Sequence, residues 1–284
     1  GAQTKELMRQ ACVRYWRSPN YNLQRLGVSM AVAVLFGSNF ADADVAGSQV
    51  AIVSGIGLLF LTTIFVGVVY INGVIPVLSS ERAVFYREQA AGAYRAFPYT
   101  LAWGICELPY LLVCTLVFSS IFYFLVGFEA VAGKFFLYYV YFFLYVTYAT
   151  FLGQFLAAVL PNAQTASLVA SALTSVYVLF TGFLIQPHLI PDGWLFLYYV
   201  NPMHYALEGI VVTQYRGMDD PVTVFDESSG STLTTTVEQF ALSYFGGKYE
   251  YSNRYLDFGI LLAFIICIRF STMLAFKFVR HTKR

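Results

Sequence analysis

Six apolar stretches of bilayer-spanning length run through this sequence: Leu23 to Phe40, Val50 to Leu78, Phe97 to Val126, Phe135 to Leu160, Thr165 to Ile185 and Tyr255 to Val279. Lipid offers an unpaired peptide group no partner, so a helix of about 20 apolar residues is the economical way to cross about 30 Å of hydrocarbon. The charge content agrees. Only 12% of the 284 residues are charged, where a soluble domain carries about 25%. A disordered chain, a disulfide scaffold and a cytosolic enzyme fold are therefore poor descriptions, and a net charge of +1 does not mark a nucleic-acid binder.

Basic residues set the expected orientation, because Lys and Arg near span ends favour the cytoplasm. Lys5, Arg9, Arg14, Arg17, Arg25, Arg82, Arg87, Arg95, Lys277, Arg280, Lys283 and Arg284 fall on the side of both termini, against Lys134, Arg216, Lys248 and Arg254 opposite. Both ends are thus expected in the cytoplasm, and an even number of spans requires that they share a side. A seventh crossing from Trp194 to Tyr215 is rejected, since Asn201-Pro202 interrupts it and His204 and Glu208 lie within it. This segment is expected to be re-entrant on the outer side, followed by a polar outer loop from Gly217 to Asn253. Within that loop Val237, Phe240, Ala241, Tyr244 and Phe245 repeat at helical spacing. The chain begins at Gly1 with a segment that lacks the apolar core of a signal peptide, and it reads as a piece of a longer polypeptide.

Four places attract a functional reading. The first segment puts Leu7, Met8, Ala11, Cys12, Tyr15 and Trp16 on one helical face opposite Lys5, Arg9 and Arg17, as in an interfacial helix. Between the second and third stretches, Ser79 to Arg95 mixes charges of both signs with Phe85, Tyr86 and Tyr94 exposed to the cytoplasm, a surface suited to docking another protein domain. The fifth stretch aligns Ser171, Ser175, Val178 and Gly182 on one face, either a packing seam or a cavity wall. Glu107 and Arg269 are ionisable groups inside spans, where charge is expensive and usually paired. Transport coupling or an internal salt bridge, to Arg269 or to a residue of the inner loop, is expected for Glu107 rather than substrate binding. The aromatics of the fourth stretch, Phe135 to Tyr148, encircle the helix and read as lipid-facing. His188 and His204 stand alone, without ligand spacing.

Several motifs in order give a sharper reading. Arg14-Tyr15-Trp16-Arg17-Ser18-Pro19-Asn20-Tyr21-Asn22, then the run from Ser80 to Tyr94, then Cys106-Glu107-Leu108-Pro109-Tyr110, then Asn201 to Gly209 resemble the membrane domain of G-subfamily ABC transporters of the pleiotropic drug resistance type. The resemblance implies that Glu6 to Arg17 is a connecting helix. It also implies a coupling helix at Glu81 to Tyr94, with Glu81, Arg82, Phe85, Tyr86, Arg87, Glu88 and Tyr94 meeting a nucleotide-binding domain. A substrate cavity between the second and fifth spans would be lined by Val69, Ser171, Ser175 and Val178, with Phe183 and Leu184 as its outer valve.

The resulting expectation is an all-α membrane protein of six transmembrane helices, forming a single domain over 1–284. Its parts are a connecting helix (1–20), spans one to five (21–190), a re-entrant segment and extracellular loop (191–254), and a sixth span with a cytoplasmic tail (255–284). The sequence holds no G-x-x-x-x-G-K-[ST], G-x-S-x-G or H-E-x-x-H motif, so the chain by itself is expected to be no enzyme. ATP and Mg would sit on a nucleotide-binding domain upstream in the same polypeptide. The expected partners are that domain, a second six-span half, the bilayer of the plasma membrane and a lipophilic substrate, with no nucleic acid. The implied job is half of an ATP-driven exporter for hydrophobic or amphipathic molecules or lipids; the alternative is an ATP-independent secondary transporter or channel-like protein.

Overall fold

The computed structural model describes residues 8, 9, 13, 19–41, 47–92, 95–226 and 231–279. Most of the expected connecting helix, and Tyr94, lie outside the described residues. Five helices follow the first five apolar stretches: α1 (Pro19–Asn39), α2 (Gln49–Ala90), α3 (Ala96–Val126), α4 (Ala132–Val159) and α5 (Ala163–Leu179). Ser48 caps α2 by accepting from the Ala51 amide at 3.2 Å, and Asn162 caps α5 by accepting from Thr165 at 2.8 Å. Gly127, at φ +80°, closes α3 in the left-handed region open to glycine. The segment expected on the outer side comprises α6 (Leu195–Tyr199), α7 (Pro202–Gln214), a hairpin of β1 (Pro221–Asp226) and β2 (Ser231–Thr236), and α8 (Val237–Ser243), before α9 (Arg254–Phe278) completes the bundle.

Among the described residues four helices are long and apolar enough to cross a membrane: α2, α3, α4 and the run Tyr251–Phe278 that contains α9. The chain is an integral membrane protein. α1 and α5 occupy the expected places of the first and fifth spans, but α5 has 17 residues, a rod of about 26 Å at 1.5 Å per residue. The apolar run beyond it, to Ile185, leaves the helix and turns at Gly182, whose φ is +100°.

Three expectations need correction. The polar stretch after Leu78 continues α2 without a break to Ala90, so no separate loop or helix begins there. The fourth span is central rather than lipid-facing: 83% of its most apolar window is buried, against 17% for the window in Tyr251–Phe278. Many of its rings fill the core, with Phe142 stacked 4.7 Å from Phe118 and Tyr138 and Tyr145 buried, while Phe136 is exposed and fits the lipid-facing expectation. The outer loop also contains the antiparallel hairpin, in register Val222 to Thr235 and Val224 to Leu233. The expected helix near Val237 is present as α8, capped by Thr236.

Two glycines allow α2 and α4 to approach closely. A Cβ on Gly153 would stand 2.5 Å from Val74 and 2.6 Å from the Ile71 carbonyl, while one on Gly67 would meet the Tyr145 hydroxyl at 2.6 Å. The re-entrant segment breaks at Asn201-Pro202, where Asn201 caps α7 and proline occupies its first turn. Every residue of α7 is buried, its polar ones included, because the helix lies among α4, α9 and the outer loop rather than in lipid.

Candidate functional site

A chain of polar side chains crosses the middle of the bundle. Glu107 on α3 is fully buried, with Arg25 Nη1 of α1 at 2.6 Å from Oε1 and Gln154 Nε2 of α4 donating to Oε2 at 2.6 Å. Arg25 also donates to Thr150 Oγ1 at 3.2 Å and lies over the Tyr70 ring at 4.4 Å. Gln154 Oε1 in turn accepts from Arg269 of α9, which donates also to the Thr100 carbonyl. Two cations and one carboxylate are thereby joined through a neutral amide, so each charge has polar partners in the interior. The expected partner of Glu107 changes accordingly: Arg25 bonds it directly, and Arg269 reaches it through Gln154. Arg25, counted as an interfacial charge, is 4% exposed.

At the C-terminal end of α2, Arg82 folds against the end of α4. Its guanidinium donates to the carbonyls of Ala157 at 2.6 Å, Leu160 at 2.5 Å and Pro161 at 2.6 Å. These carbonyls belong to the helix terminus and the following turn, where intrahelical donors run out, and a planar fork suits three of them. Phe85 packs between Tyr99 and Phe276, with centroids 4.5 and 5.0 Å away, and Tyr86 donates to the Val279 carbonyl at 3.0 Å. Phe85 and Arg82 are thus buried, and the sequence-derived picture of an outward aromatic surface is replaced by an inward anchor. Arg87 is exposed, and Glu81 and Glu88 are partly so.

Between α2 and α5 lies a cavity of about 470 Å³ walled by Val68, Ser171, Thr174, Ser175 and Val178. Three of the four residues expected to line it are there; Val69 instead packs against the hydrophobic core. Ser171 and Ser175 donate back to the Ser167 and Ser171 carbonyls at 2.9 Å, which satisfies the hydroxyls while leaving their oxygens as acceptors. Phe183 follows α5 and packs against Phe60 at 4.7 Å and Tyr244 at 5.8 Å. Leu184 beside it is exposed.

The opposite end of the bundle contains a second polar group. His204 and Glu208 on α7 are buried, with Nε2 and Oε2 3.6 Å apart, too long for a firm hydrogen bond. Burial dominates both groups: it lowers His204 to about 3 and raises Glu208 to about 7. Glu208 Oε1 faces the Glu250 amide and Asn253 Nδ2, both at 3.4 Å. His188 lies apart, in the 3-10 turn Pro187–Leu189.

Comparison with known proteins follows the same lines. Residues 2–215 match the family described as ABC-2 type transporter. ABC transporter G family member 31 of Arabidopsis thaliana is 38% identical over 235 residues, covering 82% of this chain and 16% of the relative. ABC transporter G family member 35 of the same plant is 35% identical over 274 residues, covering 95% of this chain and 18% of its own length. Pleiotropic drug resistance protein 1 of Nicotiana tabacum is 36% identical over 239 residues, with 84% of this chain and 16% of the relative covered. The chain thus spans less than a fifth of each of these relatives. With its long apolar helices and the match over most of its length, the chain belongs to the ABC-2 type transporter family as a membrane domain whose relatives include plant G-family ABC transporters.

Proposed function

We propose that this chain forms one membrane half of an ATP-driven exporter of hydrophobic or amphipathic molecules, coupled through the inner end of α2. The observation that carries the reading is the continuity of α2. Its 42 residues make a rod of about 63 Å, so the exposed Arg87 region and the cavity wall at Val68 belong to one element. A nucleotide-binding domain elsewhere in the polypeptide, holding ATP and Mg, would push on the segment from Glu81 to Gln89. Arg82 would pass that displacement to the α4–α5 turn, and α5 carries the serine face of the cavity. The second half, fused or separate, would complete the path.

In this mechanism nucleotide binding favours one of two packings of the same helices, and the ligand's preference between them supplies the shift. The cavity takes an apolar body against Val68 and Val178 and offers serine oxygens to a few polar atoms. Phe183 and Leu184 would close its outer end, and both termini would lie in the cytoplasm of a cell whose plasma membrane the protein spans. The residues bind and move, and bond breaking is left to the nucleotide site.

The test is transport by the full-length protein in sealed vesicles, with Mg-ATP and a panel of lipophilic dyes. Nucleotide-dependent accumulation is expected for the parent and strongly reduced accumulation for Arg87→Glu, whose exposed site leaves folding intact. Accumulation that is equal with and without nucleotide would remove the ATP-driven reading and favour a secondary transporter.

A further inference from the structure

A groove between α3 and α9 has a polar end and an apolar end. At the end of the bundle that carries Arg82 and Arg87, a cavity of about 900 Å³ is bordered by Gln89, Arg95, Phe97, Met273 and Lys277. Phe97 and Met273 also border a second cavity of about 290 Å³, which continues along the helices past Leu101, Ile266 and Phe270 as far as Arg269. Phe97, Ile266 and Phe270 are all more than half exposed, so this second part is an apolar channel open toward the surrounding hydrocarbon. The two spaces share walls and differ in chemistry.

The polar end is built for an anion. Arg95 stands at the start of α3 without a side-chain capping bond, and with Ala96, Phe97 and Lys277 it borders the space, so the N-terminus of a 31-residue helix lies at its edge. A helix N-terminus and two cations reinforce each other there. The size lies within the range of about 300–1,000 Å³ usual for small-ligand pockets. The apolar channel begins beyond Arg95 and Lys277, and Arg269 at its far end is bonded to Gln154 and the Thr100 carbonyl, which matches a molecule with a charged head and a hydrocarbon tail.

We infer that this groove binds one anionic phospholipid of the adjoining leaflet, its phosphate between Arg95 and Lys277 and an acyl chain along Leu101, Ile266 and Phe270. The bound lipid would tie the start of α3 to the end of α9, next to the Phe85–Phe276 contact that seats the inner end of α2. The inference uses the groove alone and stands apart from the proposed coupling route.

The test uses the full-length protein in detergent, with phosphatidylglycerol or phosphatidylcholine added and bound lipid counted by native mass spectrometry. Phosphatidylglycerol is expected to be retained in preference to phosphatidylcholine. In Arg95→Gln/Lys277→Gln its affinity should fall roughly 25-fold, or about fivefold per basic residue removed. Both side chains are exposed, so the fold should persist. Leu101→Trp, which fills the apolar channel, should weaken binding with both cations intact, and glycerol phosphate, which lacks a tail, should not compete. Equal retention of the two lipids would overturn the inference. So would full competition by glycerol phosphate, or an equal loss in the control Arg216→Gln/Lys248→Gln at the opposite end.

Discussion

Replacing Glu107 by alanine tests the polar chain at its centre. The change removes a fully buried carboxylate and leaves Arg25, 4% exposed, without the acceptor now 2.6 Å from its Nη1. Gln154 Nε2 loses its 2.6 Å acceptor at the same time. Breaking a buried pair by removing one partner costs about 3–5 kcal/mol, because the other charge stays in a medium that solvates it poorly. One kcal/mol corresponds to roughly 2–4 °C for about 150–250 residues, so a fall of roughly 6–20 °C is expected.

Arg25→Met should cost a similar amount by removing the cation bonded directly to Glu107. The double variant Arg25→Met/Glu107→Met removes both charges and fills the space with apolar groups, so it should recover most of the loss. The assay is the loss of the monodisperse peak of full-length protein on heating in detergent, at one heating rate for every variant. A Glu107→Ala protein that melts within about 2 °C of the parent would refute the reasoning, since that is less than one kcal/mol. So would a double variant whose loss equals the sum of the single losses.

Three further outcomes are expected. His204 lowered to about 3 and Glu208 raised to about 7 act oppositely: the first makes stability rise with pH from about 3 to the ordinary histidine value, and the second makes it fall from the ordinary glutamate value to about 7. With Asp257, Glu250 and Lys248 common to all three proteins, melting between about pH 4.5 and 6.5 should therefore slope more steeply downward in His204→Gln than in the parent, and less steeply downward in Glu208→Gln. Identical profiles for the two variants would contradict the assignment. Gly153→Ala should lower stability by about 1–3 kcal/mol through overpacking against the Ile71 carbonyl; thermal melting checks it, and an unchanged value would mean that α2 and α4 do not meet there. Arg82→Lys keeps the charge but not the fork, so vesicle transport should fall by about tenfold if charge-assisted bonds worth about 1.5–3 kcal/mol each are needed to hold the α4 terminus.

Hydropathy located the helices well because the lipid boundary and the apolar boundary coincide: α2 begins one residue before Val50, α3 one before Phe97, and α4 ends one before Leu160. It failed where the helix outlives the lipid. No glycine or second proline stands between Val77 and Ala91, and Glu81, Arg82, Ala83, Arg87, Glu88 and Gln89 are all good helix formers, so propensity held the missing signal for the extension of α2. The hairpin had a signal too, in the alternation of Val222 and Val224 and the β-branched run from Thr234 to Thr236. Arg25 and Gln154 are different. A basic residue near a span end resembles a snorkelling one, and a neutral amide carries no charge mark, so only the meeting of α1, α3 and α4 reveals their role. The enclosed rings of α4 were likewise misread, because a helix that is apolar all round suits a bundle centre and a lipid face equally.

The two polar attachments converge on α4. Thr150 and Gln154 receive α1, α3 and α9 at mid-bundle, and the carbonyls from Ala157 to Pro161 receive α2 through Arg82. A helix held at two levels, about one to two turns apart, resists rotation about its own axis, since turning it would strip Arg25, Glu107 or Arg82 of partners in a medium that offers no replacement. Sliding or tilting with its neighbours strips none of them. Any change of packing in the proposed cycle is therefore expected to move α4 together with the inner half of α2, and to take place at the softer α2–α5 boundary, where the cavity already interrupts the packing. A cross-link that fastens Val68 to Ser171 through paired cysteines should then stop transport while sparing the melting temperature. One between α2 and α4, at a pair of positions that spares Gly67 and Gly153, sits on the rigid side and should leave transport intact. The reverse pattern would place the moving boundary inside the α2–α4 contact and refute this division.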